Sequence, residues 1–349
     1  MKQLSIDNVM KWFKFTNSTL TASSYSAMVF NLKRVEKVLG SPLSELNEHE
    51  YDTLYNVAMF NKMEEGFNYS LATQIQTTLA VINILKYIGV DEKLIIKWQH
   101  RLATETNERK QKIEKQELSP REKENWIDFD VLQELFYEYV NTCIYGNEDI
   151  LSYNEIRNVV LMGMYVLIPP ARITNYEKMK VREEKVNSVS RLQKKFNYIV
   201  KMKDGGMSLC FNQYKTAKLV GQQIGNIESM ELIKLINVYL PMREKFVNKK
   251  TNTWFFVNKD KNQMSQTNIT DTLKCISRKI TTKELSANMF RHIFLTDWGK
   301  SDHTIAENKR VATFMGQSYS PTMMEKYKKY ETTDDDTFKK SVAKSGVFL

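Results

Sequence analysis

Two arginines, a lysine and a tyrosine stand along this chain in an order that suits phosphoryl transfer. Arg172 follows a proline pair in L-I-P-P-A-R, and Lys215 lies in N-Q-Y-K-T-A-K. Arg291 lies in N-M-F-R-H, and Tyr327 closes M-G-Q-S-Y-S-P-T-M-M-E-K-Y. A guanidinium holds a phosphate through two charge-assisted hydrogen bonds. A tyrosine hydroxyl can attack phosphorus and keep it as a covalent adduct. A lysine ammonium can protonate the oxygen that leaves. Singly, each residue has an ordinary reading: an arginine beside a kink, a solvated loop lysine, a helical salt bridge, a packed aromatic. Their joint order gives them weight. Tyr330 is the alternative nucleophile.

Other chemistries find little support. H-x-x-x-H, G-x-G-x-x-G, the P-loop and G-x-S-x-G do not occur. His49, His100 and His303 have no ligand spacing, His292 reads as a structural residue on its helix, and Asp334–Asp336 reads as a solvated acidic run. Neither a metal nor a nucleotide cofactor is expected. Cys143, Cys210 and Cys275 are odd in number and far apart, which predicts a reducing, intracellular setting and no disulfide framework. Met1–Met10 is polar and of mixed charge, unlike a secretory signal. No apolar run reaches the roughly 18 residues of a membrane span.

The 349 residues suggest two domains, and the formal charge of +10 suggests a polyanionic partner such as DNA. The charge is uneven. Residues 1–124 hold 17 basic against 16 acidic side chains, and residues 125–349 hold 34 against 25. In the first part, apolar residues at helical spacing predict helices from Thr21 to Gly40 and from Leu71 to Gly89, with a shorter one over Tyr51–Met63. Arg101–Asn125 alternates in charge, so a charged, extended linker is expected at 104–118, with Ser119-Pro120 opening the next helix. Helices are predicted over Phe129–Tyr145 and Tyr153–Leu167. Strands follow at Tyr176–Val181, Tyr198–Met202 and Met207–Phe211 around an Asp-Gly-Gly turn, and at Gln222–Ile227. Lys215 then lies in a loop between two strands. The chain returns to helices at Leu232–Tyr239, Ile269–Ile280, Ser286–Trp298 and Thr304–Met315.

In order and spacing these residues resemble the tyrosine recombinase (phage integrase) family, and more weakly its large-DNA-virus and mobile-element members. The resemblance covers the whole chain. It implies a mainly α protein: a helical, SAM-like core-binding DNA-binding domain at 1–103, the linker at 104–118, and a catalytic domain at 119–349. That second domain is expected to be mostly helical with a small antiparallel sheet. Arg172, Lys215, Asn288, Arg291, Gln317 and Tyr327 are the site residues it implies, with Tyr327 the nucleophile. Asn288 stands where the family usually has histidine, and Gln317 where it has histidine or tryptophan. The segment from Gln317 to Tyr327 is one residue longer than usual. The implied reaction is site-specific cutting and rejoining of double-stranded DNA through a 3′-phosphotyrosine, without metal or ATP, by a homotetramer on two paired sites. The tail at Thr337–Leu349 is expected to dock on a neighbouring copy. A type IB topoisomerase, a hairpin telomere resolvase and an inactive DNA-binding regulator are the alternatives.

Overall fold

The computed structural model describes residues 3–17, 21–146, 151–184, 192–248, 251–317, 319 and 328–329. The chain divides into two compact units, Met1–Lys115 and Gln116–Leu349.

In the first unit the described residues form α1 (Ile6–Thr16), α2 (Ala22–Leu39), α3 (Glu48–Tyr55), α4 (Val57–Glu65), α5 (Leu71–Ile88) and α6 (Glu92–Glu114). Thr21 and Ser70 cap α2 and α5 through their side chains, and Gly40 and Gly89 end them in the left-handed conformation. Leu32, Val35, Ile84, Leu85, Phe60 and Trp98 are among the residues of one apolar core. The rings of Phe60 and Trp98 meet edge to face at 5.2 Å, and the Trp98 indole donates to Leu54 O at 3.1 Å.

Two expectations are corrected here. The helix expected over Tyr51–Met63 breaks at Asn56, whose side chain accepts from the N–H groups of Ala58 and Met59 and so starts α4. The segment expected as an extended linker is helical through Glu114. Its alternating charges fall four apart: Lys112 meets Glu108 at 2.7 Å and Lys110 meets Glu114 at 3.7 Å. Such pairs support a helix. Arg101 ties α6 to α4 through Glu64 and is itself held by Glu105, one turn further along α6.

The second unit opens with α7 (Pro120–Asn125), α8 (Phe129–Tyr139) and a π-helical turn over Val140–Tyr145. Next come α9 (Tyr153–Val166), α10 (Ile173–Glu177), β1 (Met179–Glu184), β2 (Asn197–Met202), β3 (Met207–Phe211), α11 (Ala217–Val220) and β4 (Gln223–Ile227). The helices α12 (Met230–Phe246), α13 (Gln266–Thr281), α14 (Ala287–Trp298) and α15 (Ile305–Phe314) follow. The described residues are thus mainly helical with one small sheet, ordered β1-β2-β3-β4.

The sheet is mixed. β2, β3 and β4 are antiparallel, as the Asp204-Gly205-Gly206 turn predicts, but β1 runs parallel to β2 with Met179 opposite Asn197. The connection between them, residues 185–196, has the dozen residues that a parallel pairing needs. β1 starts at Met179 instead of Tyr176 because α10 occupies the preceding residues. α9 is buried almost all round, from Ile156 to Val166, and forms the axis on which α8, α12, α13 and α14 pack. It delivers the chain to the proline pair before Arg172.

Candidate active site

The turn after α9 is fixed by a side chain. The hydroxyl of Tyr176, 1% exposed, accepts from Ala171 N (3.2 Å) and donates to Met164 O (3.1 Å). That bond satisfies one of the carbonyls left over at the end of α9. Burial pushes the Tyr176 phenol far above its ordinary range, so it stays a donor. Arg172 follows as the N-cap of α10, and its Nη1 donates to Gly316 O at 3.1 Å.

Gly316 belongs to the tight turn that ends α15. Its φ is +61°, and a Cβ there would collide with Asn175 Nδ2. Gln317 continues the turn, with its N–H on Ala312 O at 3.0 Å and its carbonyl accepting from Gln223 Nε2 at 3.2 Å. Gln317 is 2% exposed.

Arg291 reaches the same turn from α14. Ser286 caps that helix by accepting from Met289 N. Asn288 and Arg291 are three apart and share a face. Asn288 is exposed, and Arg291 is wholly buried. Arg291 Nη1 donates to Pro170 O (2.7 Å) and Met315 O (3.3 Å), and Nη2 donates to Gln317 Oε1 (3.1 Å). Three segments distant in sequence, at 170–172, 291 and 315–317, therefore meet in one hydrogen-bonded knot. It contains two cations, each donating to backbone or amide oxygens.

Lys215 and Asn288 stand outside that knot, exposed, with no side-chain hydrogen bond among the described residues. Lys215 occupies the turn between β3 and α11, in the connection to the neighbouring strand β4. Tyr327 and Tyr330 lie outside the described residues, as do Asp334–Asp336 and the tail at 337–349. Two residues beside Tyr327 are described. Lys328 lies over Gly299, and Lys329 N donates to Thr296 Oγ1 of α14 at 2.8 Å. Lys329 Nζ also reaches Glu117 O at 3.1 Å and Glu122 Oε2 at 3.7 Å. His292 Nε2 approaches Glu122 Oε1 at 4.0 Å. Burial alone would raise the Glu122 carboxyl. The Ser119 N–H and hydroxyl outweigh it, helped by the charges of Lys329 and His292, and hold it below the usual carboxylate range.

No protein-family model matches the sequence, and no curated protein matches it. Among solved structures the chain is similar to a XerA recombinase, at 11% identity and a TM-score of 0.40 over 99% of each chain. It is also similar to the Tn1549 transposon integrase in complex with transposon right end DNA, at 11% identity and a TM-score of 0.41, over 98% of this chain and 100% of that one. An integrase from mycobacterium phage Brujita gives 11% identity and a TM-score of 0.30, over 92% and 96%. Likenesses at this level leave the function to be argued from the residues.

Three residues of the knot escape sequence reading. Tyr176 holds the turn before Arg172. Gln223 holds the carbonyl of Gln317 across 94 positions. Asn175, fully buried, packs its amide against Gly316, and neither of its side-chain polar atoms has a hydrogen-bond partner among the described residues. No local spacing marks any of the three. Among the described residues there is no group of three His, Cys, Asp or Glu that could hold a metal ion, and no helix long and apolar enough to cross a membrane.

Proposed function

We propose that this chain is a tyrosine recombinase that cuts and rejoins DNA through a 3′-phosphotyrosine. The observation that carries the reading is the shared turn. Arg172 and Arg291, 119 positions apart, both donate to Met315–Gln317, eleven residues or so before Tyr327. Two guanidinium groups on one turn can hold an anion once Arg291, fully buried, exchanges its bond to Gln317 Oε1 for it.

In the proposed step, Tyr327 Oη attacks the scissile phosphorus. The bond from phosphorus to the 5′ oxygen breaks, and its electron pair leaves with that oxygen, which takes a proton from Lys215 Nζ. The phenolic proton passes to water or to a phosphate oxygen, because neither Asn288 nor Gln317 can accept it near neutral pH. Arg172 and Arg291 offset the charge that gathers on the non-bridging oxygens, and Asn288 and Gln317 add neutral donors. Arg291 engages the phosphate by giving up its bond to Gln317 Oε1, which turns the Gln317 amide toward the same oxygens. Rejoining reverses the step: a 5′ hydroxyl attacks the phosphotyrosine and Lys215 takes back a proton. The bond energy stays in the adduct, so the reaction calls for neither metal nor nucleotide. Four copies on two paired sites would exchange strands.

The test is a pair of variants on nicked suicide duplexes drawn from a random-sequence pool. Tyr327→Phe is expected to bind DNA like the wild type and to trap no strand, while Tyr330→Phe traps it normally. Full trapping by Tyr327→Phe would remove the assignment.

A further inference from the structure

Arg172 and Lys215 stand on different elements, and one buried amide joins those elements. Asn197, the first residue of β2, is 0% exposed. Its Nδ2 donates to Asn175 O at 2.8 Å, within α10, the helix that Arg172 caps. The same nitrogen donates to Gln213 O at 2.8 Å, two residues before Lys215. Its Oδ1 accepts from Asn212 N at 2.8 Å and from Gln213 N at 2.7 Å. A carboxamide has two N–H donors and one oxygen with two lone pairs, and here all four are used. The network also fixes which atom is oxygen and which is nitrogen.

The Lys215 turn is braced on both sides of this amide. Asn212 Nδ2 donates to Phe196 O at 2.9 Å, and Gln222 Nε2 donates to Asn212 Oδ1 at 2.8 Å. Tyr214 Oη donates to Gly221 O at 2.7 Å and closes the far side. Lys215 is thus an exposed cation on a turn whose base is held by backbone bonds to one side chain. Asn197 is the residue that also reaches α10.

We propose that Asn197 is a positioning residue that sets the Lys215 ammonium against the phosphate held at Arg172. This rests on the reading of Lys215 as the proton donor. Without the amide, the N–H groups of Asn212 and Gln213 and the carbonyls of Asn175 and Gln213 lose buried partners, and the turn can shift relative to α10. A displacement of about 1 Å at a reacting group can cost on the order of 100-fold in rate.

The experiment uses the full chain and two versions of a nicked suicide duplex, whose sequence is first selected by trapping adducts from a random pool. One version has the ordinary 5′ oxygen at the scissile position; the other has a bridging sulfur there. A thiolate leaves without needing a proton, so a missing or misplaced acid costs little on the sulfur duplex. Wild type is expected to cut both. Lys215→Ala and Asn197→Ala are expected to cut the oxygen duplex roughly 100-fold more slowly and to recover on sulfur, with DNA affinity unchanged. Arg172→Ala should be slow on both. Asn197→Asp preserves size and the two acceptor contacts but cannot donate to both carbonyls, so it should behave like Asn197→Ala.

The proposal is overturned if the Asn197 variants are slow on both duplexes while Lys215→Ala recovers. It is also overturned if Asn197→Asp matches the wild type on oxygen, or if Asn197→Asp does not fold, which would assign the residue to stability. A Lys215→Ala variant at wild-type rate on oxygen would remove the proton-donor reading itself, and this inference with it. Absence of any adduct from wild type on either duplex would remove the recombinase reading.

Discussion

Gly316 meets two demands at once. Its φ of +61° disfavours a side chain, and the space where a Cβ would go is filled by the Asn175 amide. Gly316→Ala is therefore expected to lower stability by about 1–3 kcal/mol and to pull Gly316 O away from Arg172. Its unfolding midpoint should fall together with strand trapping; trapping at the wild-type rate would show that the turn does not organise the site. Gln317 raises the question of proton transfer. As a neutral amide it cannot act as a base. Gln317→His would place an imidazole in a buried position beside the Arg291 guanidinium, and both burial and the like charge lower a histidine's affinity for protons. The cleavage rate of that variant is expected to rise with pH through a step below the ordinary histidine value of about 6.5. A single-turnover pH profile checks this, and a profile shaped like that of the wild type would show that residue 317 stays out of the proton path.

Among the elements, the junction of α9 and α10 rests most visibly on a single group. Tyr176→Phe strands Ala171 N–H and Met164 O in the interior. A loss of about 1–3 kcal/mol is expected, readable in urea unfolding, with slower cleavage because Arg172 stands on that junction. No loss of stability would count against the bond network drawn there. The second test at this scale concerns α7. The folded Glu122 carboxyl sits below its ordinary value, so its stabilising contribution is fully present above the unfolded value near 4.3 and is lost as pH falls through the folded one. The gap in urea midpoint between wild type and Glu122→Gln should shrink as pH drops from 6 to 3; a constant gap would contradict the assignment. Much of this level was legible in the chain. Ser119, Ser286 and Thr304 announce their helices because a hydroxyl cap acts within three residues. The order of Arg172, Lys215, Arg291 and Gln317 was legible as a motif. The continuation of α6, the parallel pairing of β1 and the roles of Asn197, Asn175 and Gln223 were not. The first depends on i,i+4 charge pairs that resemble a linker's alternation. The others depend on partners 15 to 141 positions away, which no local spacing encodes.

On the scale of the whole molecule, the positive charge is concentrated in one unit. Residues 116–349 hold 36 basic against 28 acidic side chains, a net of +8, while residues 1–115 hold 15 against 13. Binding of duplex DNA is therefore expected to weaken steeply with salt, by roughly 10³- to 10⁵-fold between 50 and 200 mM for six to ten phosphate contacts. Fluorescence anisotropy across that range measures the slope, and a flat response would remove DNA as the partner. Plasmid relaxation run beside recombination between two selected sites separates a recombinase from a relaxing enzyme: joined products from two sites are expected, and relaxation alone would favour the topoisomerase alternative. The most direct measurement is the covalent adduct itself. Wild-type protein is incubated with the nicked suicide duplex, digested, and the modified peptide is sequenced by mass spectrometry. The account predicts a 3′-phosphoryl strand on Tyr327. A strand on Tyr330, or none on any tyrosine, would contradict it.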